Sequence, residues 1–308
     1  MGTITASSII GRSEVTLQDT TNTRWPFQEL LDYLNDGQRE VVLQKPEANI
    51  VNASQQLTIN SAKQTIPSGG IVLIDITRNM GVDGTEPNAG RAIRITSKEI
   101  LDAQQPGWSY ATNSLGYIQH YVFDPRDPKT YYVYPKAPSS AHFVEMIYSA
   151  APTDVQLLQV SLANAGDVVS TSGAHGLTLG QTVRFESLAN TTYGLTTGTT
   201  YYIVSVPSTQ TFQVSATQGG SAIPLTGDTD GTMYASISID DIYANALNDY
   251  ILYRAYSKDA KYAQNGQLSV AHYSAFANSL GIKTQNELAR NPNMQQMPFN
   301  PNVPGAAR

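Results

Sequence analysis

The sequence predicts an α+β fold: a helical-bundle core built from the N-terminal and C-terminal helices, β excursions between them, and an inserted small all-β barrel or sandwich domain. Three observations predict it. Apolar residues recur at helical spacing near both ends of the 308-residue chain. Between those ends, Asp154 to Tyr234 changes character: it holds no lysine, has Arg184 as its one cation, and is crowded with Thr, Ser and Gly. Helical patterning stops before that zone and resumes after it, as expected of an insertion whose ends lie close together on a surface loop. The predicted domains are therefore a discontinuous core (1–153 and 237–290), an inserted β-domain (154–236) and an extended C-terminal arm (291–308).

The clearest helix runs from Pro26 to about Gln44. Pro26 suits the first helical position, where its missing N–H costs nothing. Phe27, Leu30, Leu31, Leu34, Val41 and Val42 recur at helical spacing, and Pro46 stops the run. A weaker helix covers Ala6 to Leu17, with Gly11 and Ser13 against it. Strands are predicted at Gln56–Ile59 and Ile71–Ile76 around a turn at Pro67–Gly70, and again at Arg91–Ile95. Thr96 and Glu99 form a capping box for a short helix ending near Ala103. Tyr117–Phe123, Thr130–Tyr134 and His142–Tyr148 read as aromatic-rich strands. Asp124 to Pro128 is a turn, because two prolines deny a ladder its donors.

The Thr-rich zone offers short β runs at regular spacing: Asp167–Thr171, Gln181–Phe185, Thr200–Val206, Thr211–Ser215 and Thr232–Ile237. After it, Asp240 and Asp241 are candidate N-caps of a largely buried helix reaching about Gln264. Asn265-Gly266 is the expected break, a second helix follows from Gln267 to Leu280, and Gly281 stands where a C′ glycine belongs.

Composition narrows the function classes. With no cysteine, the chain has no disulfide, thiolate nucleophile or cysteine metal site. No stretch approaches the roughly 20 apolar residues of a bilayer span, and Met1 to Gly11 lacks the basic and apolar regions of a secretory leader. Only 14% of residues are charged, against about 25% in ordinary soluble domains, so much of the surface is neutral-polar or covered by partners. A net charge of −6 argues against sequence-reading of nucleic acid, which needs concentrated Lys and Arg.

The candidate chemistry is thin. None of His120, His142, His175 and His272 has a second ligand at metal-binding spacing. His120 and His142 read as packing or hydrogen-bonding groups in strands, His175 as a turn residue, and His272 as a helix residue turned inward. Ser172 with His175 lacks a nucleophile elbow and an oxyanion donor set. Asp124 and Asp127 could be imagined as a glycosidase pair, but they flank prolines in a turn with Arg126 as a ready partner. The 18 tyrosines suit either β-core packing or interfaces, where an apolar ring carries a hydrogen-bonding end. The tail beyond Asn291, with Pro292, Pro298, Pro301 and Pro304, cannot continue a helix. It is either a frayed end or an arm that orders against a partner, with Met294, Met297 and Phe299 as anchors.

The residues themselves resemble a family. Arg24-Trp-Pro-Phe-Gln-Glu-Leu-Leu-Asp-Tyr-Leu-Asn-Asp-Gly-Gln-Arg-Glu-Val-Val42 is similar to the opening of head-to-tail adaptor proteins of short-tailed bacteriophages. Arg78-Asn79-Met80, Gly90 to Arg94, Glu99 to Gln104, Phe123 to Pro128, Tyr132 to Pro135, and Asp249 to Ala260 with His272-Tyr273 and Leu280-Gly281 follow in the same order. The resemblance covers roughly 3–153 and 237–285. The middle zone instead resembles a small β-domain inserted in phage structural proteins.

This resemblance implies a non-enzymatic virion connector at the head-tail interface, assembled in the host cytoplasm. It would be a homo-oligomer, a dodecameric ring joining the portal protein to the tail nozzle, with tail fibre proteins as further partners. Genomic DNA would pass through its lumen without sequence-specific binding, and no cofactor, metal or membrane is implied. Arg290, Met294, Met297 and Phe299 form the portal-binding arm on this reading. A tail-associated carbohydrate-binding adhesin is the alternative, motivated by the Thr-rich zone and its tyrosines. A cell-wall hydrolase is weaker, for want of an acid/base pair.

Overall fold

The computed structural model describes residues 4–85, 89–124, 126–173, 175, 177–259 and 263–290, with side chains as far as residue 281 apart from Ala263. Its helices are α1 (Ala6–Leu17), α2 (Phe27–Gln44), α3 (Lys98–Gln104), α4 (Ala244–Lys258) and α5 (Ala263–Arg290). The chain divides into two units. One comprises Ala6–Gly37 with Ile242–Arg308, the other Met1–Thr5 with Gln38–Asp241.

The first unit is helical, and α4 is its axis. Ala244, Ala246, Leu247, Tyr250, Ile251, Leu252 and Ala255 are all buried, so apolar side chains surround α4 rather than striping it. At about 100° per residue its contacts sort into three directions, roughly 80–150° apart. Asn245 and Asn248 face α1, accepting from Arg12 Nη1 (3.2 Å) and Ser13 Oγ (2.9 Å). Leu247, Tyr250 and Arg254 face α2. There Gly37 is needed: a Cβ at that position would stand 3.0 Å from Tyr250 Cδ1 and 3.2 Å from Leu247 Cδ2. Asp249, Tyr253 and Tyr256 face α5, meeting His272 (Asp249 Oδ1 to Nδ1, 3.0 Å), Tyr273 and the His272 ring. Phe276 of α5 is fully buried, edge-on to Tyr250 at 5.2 Å.

The second unit is β-rich, with three sheets. Its strands are β1 (Ile50–Gln56), β2 (Lys63–Thr65), β3 (Gly70–Gly81), β4 (Arg94–Ile95), β5 (His120–Phe123), β6 (Thr130–Tyr134), β7 (Phe143–Ala150), β8 (Leu158–Ala163), β9 (Val168–Thr171), β10 (Thr182–Leu188), β11 (Thr200–Ser208), β12 (Thr211–Ser215) and β13 (Thr229–Ala235). A sheet ordered β1-β7-β3 and a second ordered β2-β6-β5-β4 share one core, with Ile76, Ile118, Tyr131, Val133, Val144 and Met146 at its centre. The 12 residues of β3 run against the 8 of β7, which forces a bulge at every third residue. Strands β8 to β13 close into a six-stranded barrel ordered β10-β11-β12-β9-β8-β13, filled by Phe185, Phe212, Leu162 and Met233. Closure removes every sheet edge in this part. The fold is α+β with a small inserted barrel, as the periodicities predicted.

Several local expectations are corrected. The strand expected at Gln56–Ile59 lies earlier, at β1. Its Asn52, Ser54 and Gln56 face out and only half-buried Val51, Ala53 and Gln55 face in, so no apolar alternation marks it. The strand at Arg91–Ile95 shrinks to β4, paired in parallel with β5, plus a single bridge from Ala92 to Arg78. Ser97, not Thr96, caps α3, its Oγ accepting from Ile100 N at 3.3 Å. Asp241 begins a 3-10 turn instead of capping a helix, and its Oδ1 accepts from Ile4 N at 2.9 Å. Asn265-Gly266 does not break the chain and Gly281 does not end a helix: α4 stops at Lys258, and α5 runs through both glycines. A helical glycine costs about 1 kcal/mol, less than the packing of Phe276 and Leu280 supplies.

Candidate functional site

The residues that carry the adaptor-like pattern hold the two units internally. In the loop before α2, the Asp19 carboxylate accepts from three backbone N–H groups, Thr23 (2.9 Å), Arg24 (2.8 Å) and Trp25 (2.9 Å). Led by the Trp25 bond, these hold the carboxyl below its ordinary range. Trp25 is thereby set to bury its ring and donate its indole N–H to Ala255 O at 3.2 Å. Arg24 lies over that ring at 4.9 Å and pairs with Asp259. Arg24-Trp25-Pro26 is thus a clasp between the start of α2 and the end of α4.

Asn79, the middle residue of Arg78-Asn79-Met80, is a buried hub. Its Oδ1 accepts from Ile118 N and meets His142 Nε2, both at 2.8 Å, while Nδ2 donates to Arg91 O (2.8 Å) and Ile118 O (2.9 Å). All four hydrogen-bonding positions of the amide are filled. Burial lowers the pKa of His142, so the ring stays neutral with its proton on Nε2. The unfolded chain protonates this histidine below its ordinary value of 6.5; the folded chain does so only at lower pH. Stability is full above pH 6.5 and falls as pH drops toward the folded pKa, by at most about 1.4 kcal/mol per pH unit. His142→Gln keeps an N–H donor and should show a shallower loss of urea midpoint between pH 6.5 and 5 than the parent chain.

The candidate catalytic groups are committed elsewhere. Asp124 accepts from Arg126 N (3.0 Å), Nε (3.0 Å) and Nη2 (2.8 Å), and the guanidinium pushes its carboxyl down to about 2. His175 is buried: Nδ1 accepts from Leu177 N (2.9 Å), so Nε2 carries the proton toward Ser208 O (3.2 Å). Neither nitrogen is left to activate Ser172. His272 pairs with Asp249, and His120 stacks on Tyr134. Among the described residues there is no group of three metal-ligating side chains, and no helix is long and apolar enough to cross a membrane. What remains chemically distinctive is surface. Helix α5 exposes Val270 (67%), Tyr273 (41%) and Leu268 (38%) on different sides, and no Asp, Glu, Lys or Arg occurs from Ala263 to Ile282.

The family model of the SU10 adaptor protein matches residues 4–170 and 165–298. The chain belongs to the SU10 adaptor protein family. It is a structural phage protein of the head-tail adaptor kind, placed in the virion with portal and tail components as its partners. No curated protein matches it. Within this adaptor, Arg290 is the last residue of α5, while its side chain and the whole of Met294, Met297 and Phe299 lie outside the described residues. The adaptor's uncharged α5 stretch was not legible beforehand. The two glycines read as helix breaks concealed one continuous helix that carries no charge from Ala263 to Ile282, although the missing charge between Lys261 and Lys283 was in plain view.

Proposed function

We propose that this adaptor assembles side by side into a dodecameric ring that joins the portal of a short-tailed phage to its tail nozzle and continues the DNA channel. One observation carries this reading: the outer face of α5 presents no charge to solvent from Ala263 to Ile282, with Val270 67% exposed. A helix face so poor in charge suits burial against protein. In this reading 1–153 and 237–290 form the adaptor core, 154–236 is a domain carried on the ring within reach of tail fibre proteins, and 291–308 is the arm. The net charge of −6 suits a conduit, since a basic lumen would bind passing DNA through counterion release.

Arg290, Met294, Met297 and Phe299 anchor the arm on the portal. Purified portal should therefore capture the full chain and fail to capture a chain ending at residue 290. Equal capture of both would remove the arm from the contact, and capture of neither would overturn the portal reading.

A further inference from the structure

Three strands of the four-stranded sheet bring three hydrogen-bonding side chains into one row. Arg94 of β4 stands level with His120 of β5, and His120 with Tyr134 of β6. Residues level with one another on adjacent strands share a face, about 5 Å apart. The His120 and Tyr134 rings lie nearly parallel, 16° apart with centroids at 6.4 Å. Two residues along the strands, the same face carries Val122 and Tyr132, which Leu101 and Trp108 cover. The row thus lies at the margin of an apolar cover. Its other end is open, because Arg94 is exposed on the edge strand β4.

Two of these side chains are unsatisfied within the chain. Every other arginine with a described side chain is engaged: six lie against carboxylates, Arg12 against Asn245 and Arg91 against Tyr117. The Arg94 guanidinium meets no partner among the described residues. His120 Nδ1 is enclosed and has no hydrogen-bond partner, a state that needs a reason wherever it occurs in a buried polar group. An enclosed N–H without an acceptor is the rarer fault, so the proton sits on Nε2, the nitrogen that is not enclosed. A fixed cation and a neutral N–H donor therefore stand side by side, and nothing described in the chain accepts from either.

We infer that Arg94 and His120 bind a carboxylate of a partner protein, the guanidinium through its paired N–H groups and the imidazole through Nε2–H. Tyr134 holds the imidazole ring in place by stacking on it. A protein carboxylate fits better than a DNA phosphate. One free guanidinium gains little from counterion release, whereas the apolar margin at Trp108 and Tyr132 strengthens a single charge-assisted pair. The partners of an adaptor, portal and tail components, are themselves proteins. A single copy holds the whole row, so the site exists whether or not the chain forms a ring.

The test is binding of a fluorescent hexaglutamate peptide to the full chain at low salt, read by anisotropy, with an oligothymidine single strand as the phosphate probe. Arg94→Gln and His120→Phe should each weaken hexaglutamate binding at least tenfold. Arg126→Gln should bind as the parent does, since Arg126 is equally a surface cation but is held by Asp124. The melting temperature of Arg94→Gln should stay at the parental value, because the side chain is exposed and unpaired. That of His120→Phe should rise, because phenylalanine keeps the ring on Tyr134 and removes an enclosed nitrogen that has no partner. A site kept for a ligand is weakened and a purely structural one is not, so higher stability with lost binding is the signature expected. A parent chain that does not bind hexaglutamate, or variants that all bind it equally, would overturn the proposal. So would a lower melting temperature of His120→Phe, which would make the ring a structural element. Oligothymidine bound more tightly than hexaglutamate and lost in the same two variants would assign the row to nucleic-acid phosphate instead.

Discussion

Asn79→Ala should cost the β-rich unit about 3–5 kcal/mol and leave it close to unfolding. Asn79 makes four hydrogen bonds in a buried site, to Ile118 N, Ile118 O, Arg91 O and His142 Nε2. Alanine leaves the Ile118 N–H, the His142 Nε2–H and the Ile118 carbonyl without partners, while Arg91 O keeps the backbone N–H of residue 79 at 2.9 Å. Each such group costs about 1–3 kcal/mol, less where water can follow into the space. Whole-domain stability is only about 5–15 kcal/mol, so one side chain decides much of it. Asn79→Asp should do no better, because a carboxylate can accept twice but donates nothing and brings a charge into the core. Urea unfolding followed by a β-sensitive signal is the check. A midpoint near that of the parent would show that the hub is dispensable.

Phe276→Ala should be nearly as severe in the helical unit, at about 3–5 kcal/mol, the usual range for removing a buried phenylalanine. Phe276 is 0% exposed, edge-on to Tyr250 and beside Tyr273. It holds the part of α5 that runs on past Gly266. Without it, the cost of the glycines is no longer offset, and amide exchange along α5 should quicken well before that of α4. Loss of less than about 1 kcal/mol, or equal exchange in both helices, would mean that α5 is held by its other contacts.

Much of the fold was legible where periodicity and punctuation agreed. Pro26, the Leu30-Leu31-Leu34 stripe and Pro46 bound α2 to within a residue, and Thr130–Tyr134 and Thr211–Ser215 are strands with the limits their alternation predicted. β1 was not legible, because a strand of Val, Asn, Ala, Ser and Gln owes its form to β7 beside it rather than to its own composition. The α5 helix was misread because glycine reports a local cost and not the tertiary packing of Phe276 and Leu280 that overrides it. His175 was read as a turn residue, and its burial depends on Ser208 and Leu177, which no local pattern connects to it. The adaptor pattern was legible as an ordered set of motifs. Their purpose was not: Arg24-Trp25 and Asn79 organise the interior of their units.

Electron microscopy of the purified chain with and without its portal tests the central claim most directly. The account predicts unassembled particles alone and, with portal present, a ring of twelve added copies stacked coaxially on it with an open channel. Portal particles that gain no ring, or a closed assembly with no axial opening, would contradict it.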